Sequence, residues 1–213
     1  VILIHGLGRT KLAMWPLARR LKRNGYATWN ESYASTRKDI VALAEEHIDK
    51  GLAFCRENDA RRIHFVTHSL GGIMVRAYLQ DHAIPELGKI VMLAPPNKGS
   101  EVADKLKDWP VYEWVTGPAG QALGTGEESL PKALDPIPGT IGIIAGTRAI
   151  GLGQYAEVEG AHDGTVSTES AKLNEMDDFL LVKTSHSFIA NSRTVQDQTV
   201  HFLRHGRFRH RGR

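Results

Sequence analysis

Short runs of apolar and β-branched residues recur along the chain, and most of them are continuously apolar in the middle, as in Val1–Ile4 and Ile90–Leu93. Continuous runs of this kind are typical of strands that are covered on both faces, as the strands of a parallel sheet are. The pattern predicts six strands, over Val1–His5, Tyr26–Tyr33, Ile63–Thr67, Lys89–Ala94, Thr140–Gly146 and Phe179–Thr184.

Helical stretches separate these runs, with apolar residues three and four positions apart. The longest stripe runs from Ile40 to Cys55, and shorter ones begin near Met14, Leu70 and Val195. Strands that alternate with helices indicate an α/β domain with about six mostly parallel strands and helices on both faces. Neither an internal repeat nor an interdomain linker interrupts the pattern, so we predict one domain over residues 1–203.

One long segment, residues 95–139, has no regular pattern and holds seven of the nine prolines. It follows a strand, on the side of the sheet where α/β proteins bind ligands. Its aromatic residues Trp109, Tyr112 and Trp114 predict either an acyl-binding wall or small lid, or else a helix packed on the core. The sequence leaves both interpretations open.

Composition adds that the chain is an ordinary globular protein, because its 213 residues are 41% hydrophobic and 24% charged. The net charge of +3 comes from the basic tail, residues 204–213, which holds five arginines and no acid. Without the tail, 22 basic residues face 24 acidic ones, so we expect no nucleic-acid partner. We expect the tail to be a solvated or frayed end.

Cysteine usage and hydropathy bear on the compartment. Cys55 is the single cysteine, so no intramolecular disulfide can form. No apolar run approaches the roughly 20 residues that cross a bilayer, and the sequence carries no basic-then-apolar leader. We therefore expect a cytoplasmic location with at most peripheral membrane contact.

The strongest chemical signal is Thr67-His68-Ser69-Leu70-Gly71-Gly72, where a strand turns sharply into a helix. A serine at such a turn projects its hydroxyl above the sheet, and the N–H of Leu70 faces the negative charge that develops in acyl transfer. Thr67 departs from the usual first glycine of this motif. Taken alone, the segment is equally compatible with a helix N-terminus that carries two packing glycines.

A glycine-rich turn, His5-Gly6-Leu7-Gly8, follows the first strand and predicts the N–H of Leu7 as the second oxyanion donor. A dinucleotide-binding G-x-G-x-x-G is the competing interpretation, with Glu31 placed to hold a ribose. Lys11 occupies the position of its third glycine, which disfavours a nucleotide cofactor.

An acid and a base follow in the chain order of a hydrolase triad. Asp163 lies in a His-Asp-Gly turn, and His186 lies after the last predicted strand. Asp135 and His162 are the competing acid and base, but Asp135 precedes a strand and His162 follows none. His68 flanks the serine, and we predict that it lines the pocket or fills space. No metal-ligand spacing or phosphate-binding loop is present, so we expect no metal and no cofactor.

These pieces together resemble the α/β-hydrolases, in particular the compact lipase/esterase branch with the small lidless bacterial lipases and PGAP1-like hydrolases. The resemblance rests on residues 4–8, 67–72, 94–100, 162–167 and 185–188. It implies Ser69, Asp163 and His186 as a triad, with Leu7 and Leu70 as the oxyanion hole.

The expected activity is hydrolysis of a small-molecule or lipid ester through an acyl-serine intermediate, and an open site favours short or medium acyl chains. An acyltransferase or thioesterase on the same triad, or a non-catalytic binding module, stays open as an alternative.

Overall fold

Six parallel strands form one sheet, in the order β2-β1-β3-β4-β5-β6. The computed structural model describes residues 1–100, 117–120, 122–127, 129–150 and 160–210. The strands are β1 (Ile2–Ile4), β2 (Trp29–Asn30), β3 (Ile63–His68), β4 (Leu87–Leu93), β5 (Thr140–Gly146) and β6 (Asp178–Val182). The predicted number and direction of the strands are confirmed.

Five α-helices with fully described bounds accompany the sheet, and residues 117–120 are helical as well. The five are α1 (Trp15–Arg23), α2 (Ile40–Glu57), α3 (Leu70–Asp81), α4 (Leu130–Ala133) and α5 (Arg193–His205). Two 3-10 turns, Lys11–Ala13 and His186–Asn191, precede α1 and α5. Within these ranges, no helix has the length and apolar character needed to cross a membrane.

The sheet divides the core into two layers. Ile2 and Ile4 pack with α2 and α3 on one face, whereas Leu3 packs with α1 and α5 on the other. All three side chains are fully buried. The two-residue period of a strand thus feeds both layers, which explains why the strand runs are continuously apolar.

The second strand is much shorter than its sequence predicts. Only Trp29–Asn30 of the predicted Tyr26–Tyr33 pairs, and it pairs with β1 alone at the edge of the sheet. Both residues are half-buried. An edge strand forms hydrogen bonds with only one neighbouring strand, which stabilises its extended conformation less. The residues at both ends of β2 therefore belong to loops.

The basic tail also differs from the expectation of a solvated or frayed end. Arg204 and His205 are the last residues of α5, and Gly206 ends the helix in the left-handed conformation. Phe208 is buried against Phe202, at 4.7 Å between ring centroids, and its N–H donates to Asp178. The buried ring of Phe208 and hydrogen bonds to Asp178 and Gln198 therefore hold residues 206–210 on the domain, while 211–213 lie outside the described residues.

Buried histidines make the fold sensitive to acid. Burial is the main cause that lowers the pKa of His47 to about 4 and that of His64 to about 4, from an ordinary value of 6.5. Between these values the unfolded chain binds protons that the folded chain does not. Stability therefore falls as the pH drops from about 6.5 towards 4, by up to about 1.4 kcal/mol per pH unit for each fully responding group.

His47→Phe is expected to make this loss shallower. The centroid of the His47 ring lies 4.6 Å from the ring centroids of both Trp29 and Tyr33. Its Nε2 is buried without a hydrogen-bond partner. Phenylalanine therefore removes the titrating group and no hydrogen bond of Nε2. The measurement is the thermal midpoint from pH 7.5 to pH 4.5, with the exposed His205→Gln as the control. Parallel curves for His47→Phe and the wild type would show that His47 does not contribute.

Candidate active site

Ser69 occupies the sharp turn between β3 and α3. Its backbone has φ 53° and ψ −120°, a conformation that side chains other than glycine rarely adopt. The packing of β3, which is buried inside the sheet, offsets the energetic cost of this backbone conformation. The N–H of Gly72 also stabilises it by donating to the Ser69 carbonyl at 2.9 Å. Such local strain is a common feature of functional turns.

Two glycines that follow Ser69 allow close packing around this turn. A Cβ on Gly71 would stand 2.7 Å from the carbonyl oxygen of Ile4, so only glycine lets α3 approach β1 so closely. A Cβ on Gly72 would stand 3.4 Å from Oγ1 of Thr67. Its nearest neighbour would be Cβ of Pro95, at 3.0 Å, so the missing side chain at Gly72 lets α3 pack closely against the start of the segment that follows β4.

His186 begins the 3-10 turn after β6, and its ring reaches the serine. Nε2 lies 3.0 Å from Oγ of Ser69, within hydrogen-bond distance. The side chain is 12% exposed, so it is sheltered but not sealed. The two residues are 117 positions apart in sequence, and the parallel sheet brings both to the carboxyl ends of their strands.

Asp163 lies on the other side of the His186 ring. Its Oδ2 accepts from Nδ1 at 2.8 Å, while Oδ1 accepts from the N–H groups of Thr165 and Val166 at 3.0 and 2.9 Å. Burial by itself raises the pKa of this carboxyl, but the attraction of His186 and these hydrogen bonds outweigh it and lower the pKa. The group is therefore an ionised acceptor that fixes the proton of His186 on Nδ1.

The two competing residues lie elsewhere. The backbone of Asp135 bonds to the side chain of Gln80, near the end of α3 that is remote from Ser69. Gln80 is ten positions after Leu70, so the contact with Asp135 lies about 15 Å along the helix axis from the Ser69 end of α3. His162 accepts from the N–H of Gly164 through Nδ1, so it belongs to the turn that presents Asp163.

The loop after β1, residues 5–8, is held by contacts that the sequence did not reveal. The hydroxyl of Tyr33 donates to the His5 carbonyl at 2.7 Å, and the N–H of Gly8 donates to Oγ of Ser35 at 2.9 Å. Both partners lie in the loop after the short edge strand. They fix the backbone around Leu7, the predicted oxyanion donor, but no local motif marks them.

The loop also contacts the turn that carries the base. Nη2 of Arg9 donates to Oγ of Ser187 at 2.7 Å. A Cβ on Gly6 would stand 3.1 Å from both Nδ1 of His68 and Cβ of Ser69. The loop, the serine and the base are therefore parts of one packed unit, and a larger residue at position 6 would push them apart.

His68 packs against the base and has little surface for substrate. It is 4% exposed, its ring centroid lies 4.8 Å from that of His186, and its Nε2 is 3.1 Å from the His186 carbonyl oxygen. Burial and the neighbouring His186 lower its pKa to about 3, so the ring is neutral near pH 7. A carbonyl can only accept, so Nε2 carries the proton and donates. His68 thus contacts both the ring and the backbone of His186 and helps to hold that residue in place.

His68→Ala is expected to lower kcat by about 10- to 100-fold with little change in KM, because a small displacement of a reacting group costs up to about two orders of magnitude. His68→Gln keeps an N–H donor at similar reach and should recover part of kcat. The measurement is steady-state hydrolysis of a soluble ester, corrected for folded fraction. Equal kcat losses in both variants would contradict a positioning role.

The aromatic residues proposed for the substrate pocket, Trp109, Tyr112 and Trp114, lie in 101–116, outside the described residues. Both ends of the irregular segment 95–139 are described, and Arg76 of α3 is hydrogen-bonded to both. Its buried guanidinium donates to the carbonyls of Asn97, Pro131 and Leu134. In the described ranges, no three side chains among His, Cys, Asp and Glu are grouped closely enough to hold a metal.

Sequence comparison finds no matching family model and no matching curated protein. Solved structures do match. The mature form of the lipase BlEst2 from Bacillus licheniformis superposes with a TM-score of 0.80 at 21% identity, over 95% of this chain and 90% of that one. The metagenomic carboxyl esterase MGS0156 gives 0.66 at 20% identity, over 87% and 63%.

A third match is phospholipase PlaB from Legionella pneumophila, with a TM-score of 0.63 at 17% identity over 80% of this chain. The aligned part is 45% of PlaB, so the chain corresponds to less than half of that protein. Identities this low establish the fold and no more. The chain has the α/β-hydrolase fold, in a form with six parallel strands.

Proposed function

We propose that this protein is a serine hydrolase that cleaves carboxylic esters through an acyl-serine intermediate. The observation that carries the proposal is the continuous hydrogen-bonded row from Ser69 Oγ through both nitrogens of His186 to Asp163. The serine also stands at the strained turn that starts α3. A nucleophile, a base and an orienting acid in this order are the parts that acyl transfer needs.

The first half of the reaction makes the acyl-serine. As Oγ of Ser69 attacks the ester carbonyl, its proton passes to Nε2 of His186, and the carbonyl oxygen becomes an oxyanion. The N–H groups of Leu7 and Leu70 are the donors that we assign to this charge. When the oxyanion collapses, the C–O bond to the alcohol breaks, and the alcohol leaves with the proton from His186.

The second half releases the acid. Nε2 of His186 takes a proton from water, the hydroxide attacks the acyl carbon, and the bond to Oγ breaks as the proton returns to Ser69. In both halves His186 becomes positively charged next to ionised Asp163. Because Asp163 is buried and held by two backbone N–H groups, it stabilises that charge without moving.

The comparisons support an ester as the substrate in a general way, since the three matched structures are those of a lipase, a carboxyl esterase and a phospholipase. We extend the proposal to esters with short or medium acyl chains. The same row of residues serves thioesters and transfer to an alcohol, so both are included in the test below.

The direct test is labelling with a fluorophosphonate probe, followed by mass spectrometry of the peptide that contains Ser69. We expect one adduct on Ser69 in the wild type and none in Ser69→Ala, with the exposed Ser32→Ala as a matched control that still reacts. A wild type that forms no adduct would refute the serine hydrolase.

Hydrolysis of p-nitrophenyl esters of increasing chain length tests the substrate range. We expect the highest kcat/KM for acyl chains of short or medium length, and activity confined to long chains would contradict an open site. A thioester of the same acyl group, and an added alcohol as acceptor, measure the alternatives. A faster reaction with either would replace ester hydrolysis as the main activity.

A further inference from the structure

Three large apolar side chains are exposed near the candidate active site. Leu12 is 73% exposed, Trp15 53% and Phe188 55%. We call these three residues the rim patch. Large apolar side chains that face water on neighbouring segments are unfavourable, and such exposed groups often mark a surface that contacts a partner or a lipid.

The rim patch is continuous with the active site. Leu12 and Trp15 follow the loop of Leu7 directly, and Phe188 lies in the turn that begins with His186. Helix α1 packs against that turn, and the bond from Arg9 to Ser187 joins the two segments at 2.7 Å. The rim patch therefore lies at the carboxyl ends of the strands, as Ser69 does.

A basic groove adjoins the rim patch between α1 and α5. It has a volume of 380 Å³, and its charged lining is four arginines and one aspartate: Arg19, Arg20, Arg23, Arg193 and Asp197. We call it the arginine groove. Arg20 pairs with Asp197, which leaves three arginines whose charge the lining does not balance. The guanidinium of Arg19 lies 5.4 Å from the ring centroid of Trp15, so the groove and the patch share an edge.

We propose that the rim patch and the arginine groove together dock this protein onto a lipid surface that carries anionic headgroups. The groove offers positive charge to phosphate groups, and the apolar side chains enter the interface between headgroups and acyl chains, where tryptophan is favoured. A soluble polyanion matches the groove alone and leaves the rim patch in water. A lipid surface satisfies both features at once.

Docking in this orientation turns the carboxyl ends of the strands, where Ser69 stands, towards the lipid. It rests on the proposed function only for its consequence, which is that Ser69 meets its short- or medium-chain ester at that surface. The attachment itself needs no catalysis. It can therefore be measured on the Ser69→Ala protein, and its failure would leave ester hydrolysis untouched.

The experiment is flotation of Ser69→Ala protein with vesicles of phosphatidylcholine, with and without 30 mol% phosphatidylglycerol. Binding should be strong only with phosphatidylglycerol and should weaken as salt is raised. Arg19→Glu with Arg23→Glu should weaken it by at least about tenfold, given roughly 1 kcal/mol for each basic residue at an anionic surface. The matched control is Arg61→Glu with Arg62→Glu, two exposed arginines before β3 at the opposite edge of the sheet.

The apolar half of the proposal has its own pair of variants. Trp15→Ser with Phe188→Ser should also weaken binding at least about tenfold, whereas Val41→Ser with Leu181→Ser, on exposed apolar residues elsewhere, should not. Circular dichroism and the thermal midpoint establish that each variant is folded. Equal losses in a test pair and its control, or binding to neutral vesicles that matches binding to anionic ones, would overturn the proposal. Loss only in the arginine variant would reveal a soluble polyanion site instead.

Discussion

Replacing Ser69 by alanine is expected to lower kcat/KM for a soluble ester by about 10⁴- to 10⁶-fold. The substitution removes Oγ, the one atom that bonds to Nε2 of His186 and can attack a carbonyl. Alanine keeps the Cβ, so the backbone conformation of the turn meets the same steric demands, and the fold should persist. The measurement is the initial rate with a p-nitrophenyl ester of medium chain length, at matched folded concentration.

The companion variant His186→Ala should cost about as much, and the double variant only slightly more, because the two residues act as one unit. Losses that multiply in the double variant would contradict a shared proton transfer. Retention of more than about one hundredth of the wild-type rate in Ser69→Ala would mean that another group attacks the ester.

Asp163→Asn is expected to lower kcat by about 10⁴-fold while leaving the fold almost unchanged. The N–H groups of Thr165 and Val166 require an acceptor, so the amide oxygen of asparagine takes the place of Oδ1. The amide NH₂ then faces Nδ1 of His186 and donates to it. That forces the ring proton onto Nε2, where it blocks acceptance of the serine proton.

Asp135→Asn is the matched control for this acid, because it makes the same chemical change on an exposed residue near the far end of α3. Its activity should stay within about twofold of the wild type, as surface substitutions remote from special features have small effects. Kinetics of both variants across pH 6–9 compare them directly. The reverse order of effects would move the acid from Asp163 to Asp135.

The central part of the sheet was predictable from sequence because its strands are buried on both faces. A strand such as Thr140–Gly146 has no exposed position to interrupt its apolar run, and its observed bounds equal the predicted ones. The predicted bounds of edge strand β2 were too long, because its half-buried residues have a mixed pattern of apolar and polar side chains. The prediction for the tail was wrong because Phe208 is buried and its neighbours Arg209 and His210 bond to the domain, which the charge pattern alone does not reveal.

The proximity of Ser69, His186 and Asp163 could be predicted, because each sits in a local motif whose position relative to a strand can be read from the sequence. Their catalytic roles stay a prediction. The residues that hold the site in place could not be predicted. Tyr33 and Ser35 bond to the loop after β1 across about 28 positions of sequence. His68 was noticed, but its bond to the His186 carbonyl depends on a packing that no spacing encodes. Contacts between loops are set by tertiary structure, which a local pattern does not contain.

The strand order has a consequence for the time at which activity can arise. In the proposed mechanism the nucleophile follows β3, in the middle of the sheet, but its base follows β6, at the far edge, 117 residues later. A growing chain therefore completes the serine turn well before it has the histidine that we propose activates it. We then expect hydrolytic activity only when β6 has paired, so that a nascent or cleaved chain without this strand carries an inert serine.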